Sequence, residues 1–442
     1  MTILYLLASI LGLVLLITRL KLHPFFALIF VSIAFGLFAG MPLPDIITSI
    51  QEGFGGTLGK IGLIIVLGVV IGAFLENTGG AMALADWVLR LIGKKRVITG
   101  MGIIGYIISI PVFADSGFIL LAALNKSLTK KAGLSLAGTA IALAFGLIIT
   151  HNLVPPTPGP IAAAGILEAD LGLVLGFGFC ISALTLLVGL VYARRYAARF
   201  YIDPSEVTTG EVVEKKHSPG VLKASFPIVI PIGLIIMKSF SGFLPEAGGL
   251  QALKPILAFI GEPVIALIIG FLLSLLLPEK LEKSMLSTDG WVGKALRDSA
   301  GILLITGAGG IFGKMLQNSG IVATLGDTLS TMNMGIFLPF LIAAALKSAQ
   351  GSSTVALITT ASIVYPLMAT LGFESAIDKA LVVSAIGAGA MLVIHANDSF
   401  FWVVTQMSGM DVKTGYKYLS LGSVVIGLSA MVFTFVFYAL LH

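Results

Sequence analysis

The stretch His151-Asn152-Leu153-Val154-Pro155-Pro156-Thr157-Pro158-Gly159-Pro160 lies inside an apolar run from 134 to 166. A run of this length can cross the ~30 Å hydrocarbon core of a membrane as a helix. The prolines remove backbone amide donors and clash with preceding carbonyls, so a helix cannot pass through them unbroken. The sequence therefore predicts a membrane helix interrupted near its middle, where freed backbone groups can bind an ion or a substrate.

The composition of the whole chain agrees with membrane insertion. Of its 442 residues, 27 are Lys or Arg and 22 are Asp or Glu, which makes 11% charged. An ordinary globular protein has roughly 25%. The chain is 57% apolar with a mean hydropathy of +1.04, so most of it must face lipid or other helices. We predict an all-α polytopic membrane protein, in a bacterial cytoplasmic (inner) membrane.

Several functional classes are disfavoured by the same composition. The net charge of +5 does not predict nucleic-acid binding, because the basic residues occupy short loops between helices, where membrane topology explains them. The single cysteine, Cys180, excludes disulfides and cysteine-rich metal sites. No His-Glu-x-x-His pattern occurs, which argues against an intramembrane metalloenzyme. We predict no metal, no cofactor and no enzymatic activity.

Counting apolar runs predicts ten spanning helices, two of them broken, and two re-entrant hairpins at 97–128 and 335–371. The first hairpin turns at Ala114-Asp115-Ser116-Gly117 and the second at Gln350-Gly351-Ser352-Ser353-Thr354. Polar tips at membrane depth are tolerated only where they are buried in protein or line a cavity. We therefore expect both tips to line a polar site inside the protein.

The two halves of the chain resemble each other. Phe74-Leu75-Glu76-Asn77-Thr78-Gly79 matches Met315-Leu316-Gln317-Asn318-Ser319-Gly320 at an offset of 241 residues, and His151 matches His395 at an offset of 244. Five crossings in each half require the second copy to be inverted. We predict a first inverted repeat at 1–192, a cytoplasmic linker at 193–223 and a second inverted repeat at 224–442. Inverted repeats with broken helices are a common architecture of secondary transporters.

Basic loop residues predict the orientation. The run from 2 to 18 has no Lys or Arg before it, so we expect a first span rather than a cleaved signal peptide. Arg19 and Lys21, and later Arg194 and Arg195, then fall on the cytoplasmic side. Both termini are predicted to be extracytoplasmic.

The ionisable residues at the tips and breaks are candidates for transport chemistry. Asp115 and Asp398 are costly at membrane depth unless they are protonated or paired, so each is a candidate proton carrier; the alternative is a helix cap. His151 and His395 titrate near neutrality and are candidates for substrate or proton contact. Lys347 suits a carboxylate substrate, or alternatively an ion pair with Asp398 or Asp115.

The other candidates for substrate contact are small or polar. Ser116, Ser352, Ser353 and Thr354 lie near the amino ends of half-helices, where the helix dipole favours anions. These candidates are Ser116, Gly117, Asn152, Thr157, Gln350, Ser352, Ser353, Thr354 and Asn397.

At these residues the chain resembles the gluconate permease (GntP) family of proton symporters, within the ion transporter superfamily. The stretches that carry the resemblance are spread from end to end: Gly55-Gly56-Thr57-Leu58-Gly59, residues 151–160, residues 350–356 and residues 395–402. The resemblance implies uptake of a sugar acid with a proton, elevator-type alternating access and a homodimer. Gluconate members often have Glu at the position of Asp115 and Arg at the position of Lys347, so the substrate itself stays open.

The functional hypothesis is a secondary active transporter that imports a small organic anion, such as gluconate or a related sugar acid, by proton symport. The alternatives are sodium coupling, since hydroxyls, amides and unwound carbonyls can also coordinate a hard cation, and another substrate such as glycerate or D-serine. An anion channel is a further alternative, which saturable uphill accumulation would exclude.

Overall fold

The computed structural model describes residues 2–93, 96–205, 207, 218–240, 254–320, 334–396 and 398–441. Over these residues the fold is all-helical, with no β-strand. The helices before the linker are α1 Thr2–Thr18, α2 Pro24–Phe38, α3 Leu43–Thr78, α4 Gly80–Ile92, α5 Val97–Ile108, α6 Ala114–Ala132, α7 Leu136–Leu153, α8 Pro158–Ile166 and α9 Leu171–Arg195. Those after it are α10 Val221–Phe240, α11 Lys254–Ile260, α12 Pro263–Ser274, α13 Trp291–Asn318, α14 Phe337–Gln350, α15 Ser353–Val364, α16 Ala376–Ala390, α17 Ser399–Ser408 and α18 Leu421–Leu441.

Helices long and apolar enough to cross a membrane are numerous in this fold. Six helical segments within the described residues meet that requirement, and the pair α11 and α12, bent by 66°, would add a seventh. Other apolar helices have between 10 and 17 residues, and at 1.5 Å per residue they fall short of a full crossing. The chain is therefore a multi-pass membrane protein, while the total of ten crossings stays a prediction.

Both of the broken helices expected from the sequence are broken in the structure. The first is interrupted between Leu153 and Pro158, where proline replaces the amide donors that helix continuation needs. The second is interrupted between Ala390 and Ser399. Side chains hold this second gap open: Ser423 Oγ accepts from the Ile394 amide at 2.9 Å, and Ser420 Oγ donates to the Ile394 carbonyl.

The two segments expected to be hairpins are each split at their polar tip. Helix α5 ends at Ile108 and α6 begins at Ala114, while α14 and α15 are separated only by Gly351 and Ser352. Gly351 has φ of +88°, a conformation that residues with a Cβ rarely adopt. The tips therefore place the first turns of α6 and α15 inside the protein.

Three features of the helices differ from the sequence prediction. The apolar run 60–76 predicts a span there, but α3 begins at Leu43, and no predicted span covers α4. The apolar run 255–277 predicts one span, but a bend at Gly261 and Glu262 divides it. Helix α4 was missed because it is only 13 residues long and carries Asp86 and Arg90 among its apolar residues.

Helices α3 and α13 pack side by side in opposite directions. A Cβ on Gly310 would lie 2.1 Å from Thr57 Oγ1 and 2.3 Å from the Gly53 carbonyl oxygen. Towards the start of α3, Asn318 donates to Ser49 Oγ at 2.9 Å. The two helices are therefore antiparallel, and glycine is required where their backbones meet.

Similar packing arrangements occur in both halves of the chain. Helix α5 packs on α7 as α14 packs on α16, and α6 packs on α17 as α15 packs on α8. Helix α12 packs on α3 as α2 packs on α13. The T-shaped ring pair Phe74 and Phe271, with centroids 6.2 Å apart, has its counterpart in Phe312 and Phe35, at 6.5 Å.

Candidate functional site

The two tips and the two helix breaks converge on one cavity. Its volume is about 250 Å³. It is lined by Ala114, Asp115, Ile148, His151, Gly351, Ser352, Ser353, Thr354, Asp398, Ser399 and Phe400. Residues that are more than 200 positions apart in sequence therefore share one polar wall.

Three helices begin at this cavity. Helix α6 starts at Ala114, α15 at Ser353 and α17 at Ser399, and all three residues lie in the cavity wall. The first four amides of a helix have no partner within it, and the helix dipole places a partial positive charge at that end. Three amino ends around one space make a binding site for an anion.

The first tip meets the helix break in the second half of the chain. Ser399 Oγ donates to Asp115 Oδ1 at 3.2 Å across 284 positions of sequence. Asp115 lies in the first turn of α6, so its carboxylate also sits at a positive helix end. Asp115 thus faces the cavity without a cationic side chain bonded to it among the described residues.

Lys347 and Asp398 form a buried ion pair. Lys347 Nζ donates to Asp398 Oδ2, with side-chain exposures of 1% and 7%, and also donates to the Gly351 carbonyl at the second tip. Asp398 also caps α17, because its Oδ1 accepts from the Phe400 amide at 2.9 Å. Asp398 reaches the cavity wall and Lys347 does not. The structure thus gives Lys347 the ion pair considered as the alternative to direct substrate contact.

The second tip meets the helix break in the first half of the chain. His151, in the last turn of α7, has Nε2 3.5 Å from Thr354 Oγ1, and its ring packs 6.0 Å from that of Phe113. His151 Nδ1 is buried and has no hydrogen-bond partner in the described part of the chain. Each tip therefore contacts the helix break in the other half of the chain.

His395 occupies a different environment from His151. Its Nε2 lies 2.9 Å from the Ser348 carbonyl oxygen, and it is absent from the cavity wall. This contact holds the second break against the end of α14. The two histidines are equivalent in sequence, but only His151 faces the cavity.

The remaining predicted residues divide into two groups. Ser352 and Ser353 line the cavity, and Ser352 Oγ accepts from the Val355 amide at 3.4 Å. Four others are not among the residues that line it: Ser116, Gly117, Asn152 and Thr157. Asn152 donates to the Ile148 carbonyl and Thr157 to the Val154 carbonyl, so both stabilise the broken helix. Asn397 and the side chain of Gln350 lie outside the described residues.

Sequence reasoning did not assign Ser399 to the site. Ser399 both lines the cavity and binds Asp115. Its signal was its position directly after Asp398 in the polar run His395-Ala396-Asn397-Asp398-Ser399. Ala114, Ile148, Gly351 and Phe400 complete the wall and carry no chemical signal of their own.

A comparison with known protein families identifies the family of this chain. The model of the GntP family permease matches residues 1–440. The chain belongs to the GntP permease family. The resemblance seen at the tips and breaks is thereby confirmed over the whole chain.

Named relatives of this GntP permease carry more than one substrate. It is 33% identical to the gluconate permease of Zymomonas mobilis over 98% of this chain and 97% of that one. It is also 33% identical to the D-serine transporter DsdX of Escherichia coli, over 97% and 96%. Both relatives are named as transporters rather than as enzymes.

A solved structure supports the fold of this GntP permease. The YdaH transporter of Alcanivorax borkumensis superposes with a TM-score of 0.67, at 15% identity, over 95% of this chain and 99% of that one. The similarity extends over nearly all of both chains, so the arrangement of helices is that of a membrane transporter.

Proposed function

We propose that this GntP permease imports a small hydroxylated monocarboxylate, gluconate or a related sugar acid, across the bacterial inner membrane by proton symport. The observation that carries the proposal is the meeting of three helix amino ends at one cavity. A carboxylate bound there would accept from free amides, and the hydroxyls of Ser353 and Thr354 would bond the hydroxylated part of the substrate. The gluconate permease relative supports this choice of substrate.

The charges around the cavity support proton coupling at Asp115. The Lys347 and Asp398 charges offset each other in their ion pair, which leaves the Asp115 carboxylate as the negative charge that an anionic substrate would meet. Two negative charges in one low-dielectric space repel strongly. Protonation of Asp115 would remove that repulsion, so substrate and proton would bind together.

Alternating access between two inverted repeats is the second part of the proposal. It is supported by the antiparallel packing of α3 on α13, which correspond in the repeat, and by the packing arrangements that recur in both halves. Inverted repeats permit two opposite conformations of similar energy around one central site. We propose elevator-type movement of the cavity, within a homodimer, as the family resemblance implies.

D-serine is the second candidate substrate. The D-serine transporter relative favours it, and a D-serine ammonium group could bind the Asp115 carboxylate. In that case Asp115 would have to remain ionised during binding, so the same residue would have opposite protonation states for the two substrates.

Transport by purified protein in proteoliposomes tests the proposal. We expect saturable gluconate accumulation driven by an inward proton gradient and unaffected by replacing sodium with choline. Glycerate and D-serine serve as competitors over the same concentration range. Accumulation that follows the sodium gradient would show sodium coupling instead of proton coupling. Competition by D-serine alone would show that D-serine, and not a sugar acid, is the substrate.

A further inference from the structure

An ion pair joins two groups of helices that contact each other at few places. We call α2, α3, α12 and α13 the frame, and α5 to α8 with α14 to α17 the cavity module. Lys60, on α3 of the frame, binds Glu168, which lies just beyond α8 of the module. Beside this pair, a Cβ on Gly165 would lie 2.0 Å from Ile61 Cγ2. The contact between frame and module is therefore tight here.

The corresponding position in the second repeat has no such contact. At the repeat offset of 241 residues, Gly301 corresponds to Lys60 and Gly409 corresponds to Glu168. A Cβ on Gly301 would meet no atom within 4 Å, and one on Gly409 would meet Val207 and Ile202 of the linker. Among the described residues α13 hardly touches α17, whereas α3 packs on α8. The module thus contacts the frame through non-equivalent helices, with α8 on α3 and α15 on α13.

A second pair of equivalent glycines indicates how far the module is displaced. A Cβ on Gly72 of α3 would lie 2.0 Å from the Pro111 carbonyl oxygen, just before α6 begins. Gly313, its equivalent on α13, faces Ser362 well inside α15, at 3.3 Å from the carbonyl oxygen. At the repeat offset, Pro111 corresponds to a position roughly ten residues before Ser362. Ten residues span on the order of 15 Å along a helix.

We propose that the Lys60–Glu168 ion pair is a latch for one of two end states of alternating access, with no counterpart in the other. The inference rests on the proposed alternating access between inverted repeats. In the opposite end state the second repeat approaches the frame at the equivalent positions, and Ile302 lies beside Gln406 at a greater distance than Ile61 now lies from Gly165, because Gln406 carries a side chain. Glycine at 301 and 409 leaves that state without an ion pair, so the chain favours the latched state.

The latch is weak enough to open in every transport cycle. Its side chains are 58% and 44% exposed, and exposed ion pairs change populations by about two- to fivefold. An open cavity of about 390 Å³ borders it, so the two side chains can separate into solvent. Raising the salt concentration should weaken the latch by screening.

Disulfide trapping of both end states tests the latch. In a Cys180→Ser background, the pair Ile61→Cys and Gly165→Cys reports the present state. The pair Ile302→Cys and Gln406→Cys reports the opposite state. We expect Lys60→Met or Glu168→Gln to move the ratio of the two crosslinking rates about two- to fivefold towards the opposite state. The exchanged pair Lys60→Glu with Glu168→Lys should restore the original ratio.

The Lys238–Glu262 ion pair provides the control. It borders the same cavity and is similarly exposed, at 34% and 51%, but it joins α10 to the turn before α12, so both of its partners belong to helices outside the module. Glu262→Gln should leave the ratio unchanged. If both crosslinks form and the ratio of their rates is the same in the Lys60 and Glu168 variants as in the parent protein, the latch is wrong while alternating access stands. If the 302/406 crosslink never forms in protein that transports, both the latch and the proposed movement are wrong.

Discussion

Lys347 Nζ binds Asp398 Oδ2 in a place where the two side chains are 1% and 7% exposed. The same ammonium group binds the Gly351 carbonyl at the second tip, and Asp398 caps α17. One buried cation therefore connects the second tip to the second break. Removing one partner of such a pair leaves an uncompensated buried charge, which is more costly than removing both.

Lys347→Met should lower the free energy of unfolding by about 3 to 5 kcal/mol and abolish substrate binding. The reason for the second effect is that an unpaired Asp398 carboxylate in the cavity wall would repel an anion. Lys347→Arg should retain part of the binding. Thermal unfolding in detergent and substrate-induced stabilisation measure the two effects.

Adding Asp398→Asn to Lys347→Met should recover part of the lost stability, since Asn can still cap α17. Lys314→Met is the control, because the Lys314–Glu52 pair is 33% and 57% exposed and should contribute at most about 1 kcal/mol. Equal losses for Lys314→Met and Lys347→Met would contradict the importance of burial.

Asp115→Asn should still exchange substrate across the membrane but fail to accumulate it against a gradient. The amide imitates the protonated carboxyl group, so binding survives while proton coupling is lost. Counterflow and proton-driven uptake in proteoliposomes separate the two activities. As a control, Asp86→Asn on the exposed face of α4 should preserve both activities. Full accumulation by Asp115→Asn would mean that Asp398 or His151 is the proton carrier.

Thr354→Val should weaken substrate binding about two- to tenfold, the usual effect of one lost hydrogen bond. Thr354 lines the cavity and approaches His151. Thr360 is on the same helix, is buried, and has a hydroxyl without a partner among the described residues. Thr360→Val should therefore leave the dissociation constant unchanged, and equal losses for both variants would mean that Thr354 acts only through packing.

Gly310→Ala should destabilise the protein by about 1 to 3 kcal/mol, because the added methyl group would overlap Thr57 and the Gly53 backbone. Gly301→Ala on the same helix meets no atom within 4 Å, so it should be neutral or slightly stabilising. Thermal unfolding of the two variants compares them directly. A neutral Gly310→Ala would show that α3 and α13 can separate without cost.

The latch should not respond to pH between about 5.5 and about 8. The hydrogen bond from Lys60 lowers the pKa of the Glu168 carboxyl from its ordinary 4.5, and Tyr365 and Lys379 lower it further, against partial burial. Because the folded-state pKa is depressed, the ion pair is complete above 4.5 and is lost only as pH falls through the lower value. The crosslinking ratio should stay constant from about pH 8 to about pH 5.5. A change in that range would assign the latch to another titrating group.

Helix positions could be predicted well from the sequence because apolar runs determine which segments leave water. The first half of α3 could not, since residues 43–59 are rich in glycine and polar side chains and pack against α13 along one face only, where Ser49 and Gly53 are buried. That fit depends on Gly53 meeting Gly310, a contact between distant segments.

The chemistry of the site was predicted in part. The polar tips and breaks identified Asp115, His151, Thr354 and Asp398 as site candidates, because such residues are costly in a membrane without a purpose. Which tip meets which break could not be predicted, since the pairing of Asp115 with Ser399 depends on how the two repeats interleave. For the same reason, the sequence did not decide whether Lys347 contacts the substrate or forms an ion pair.

The two helix breaks differ in what maintains them, and this difference bears on biogenesis. At the first break, Pro155 and Pro156 interrupt the helix through local covalent structure. This break can therefore form as soon as the segment leaves the ribosome. The second break contains no proline and depends on contacts with other segments: the Ser348 carbonyl at the end of α14, and Ser420 and Ser423 near the start of α18. The second break is therefore expected to reach its final form only when the last helix docks. Completion of the binding site would then be the final event of assembly, so a truncated or still growing chain could not conduct solute.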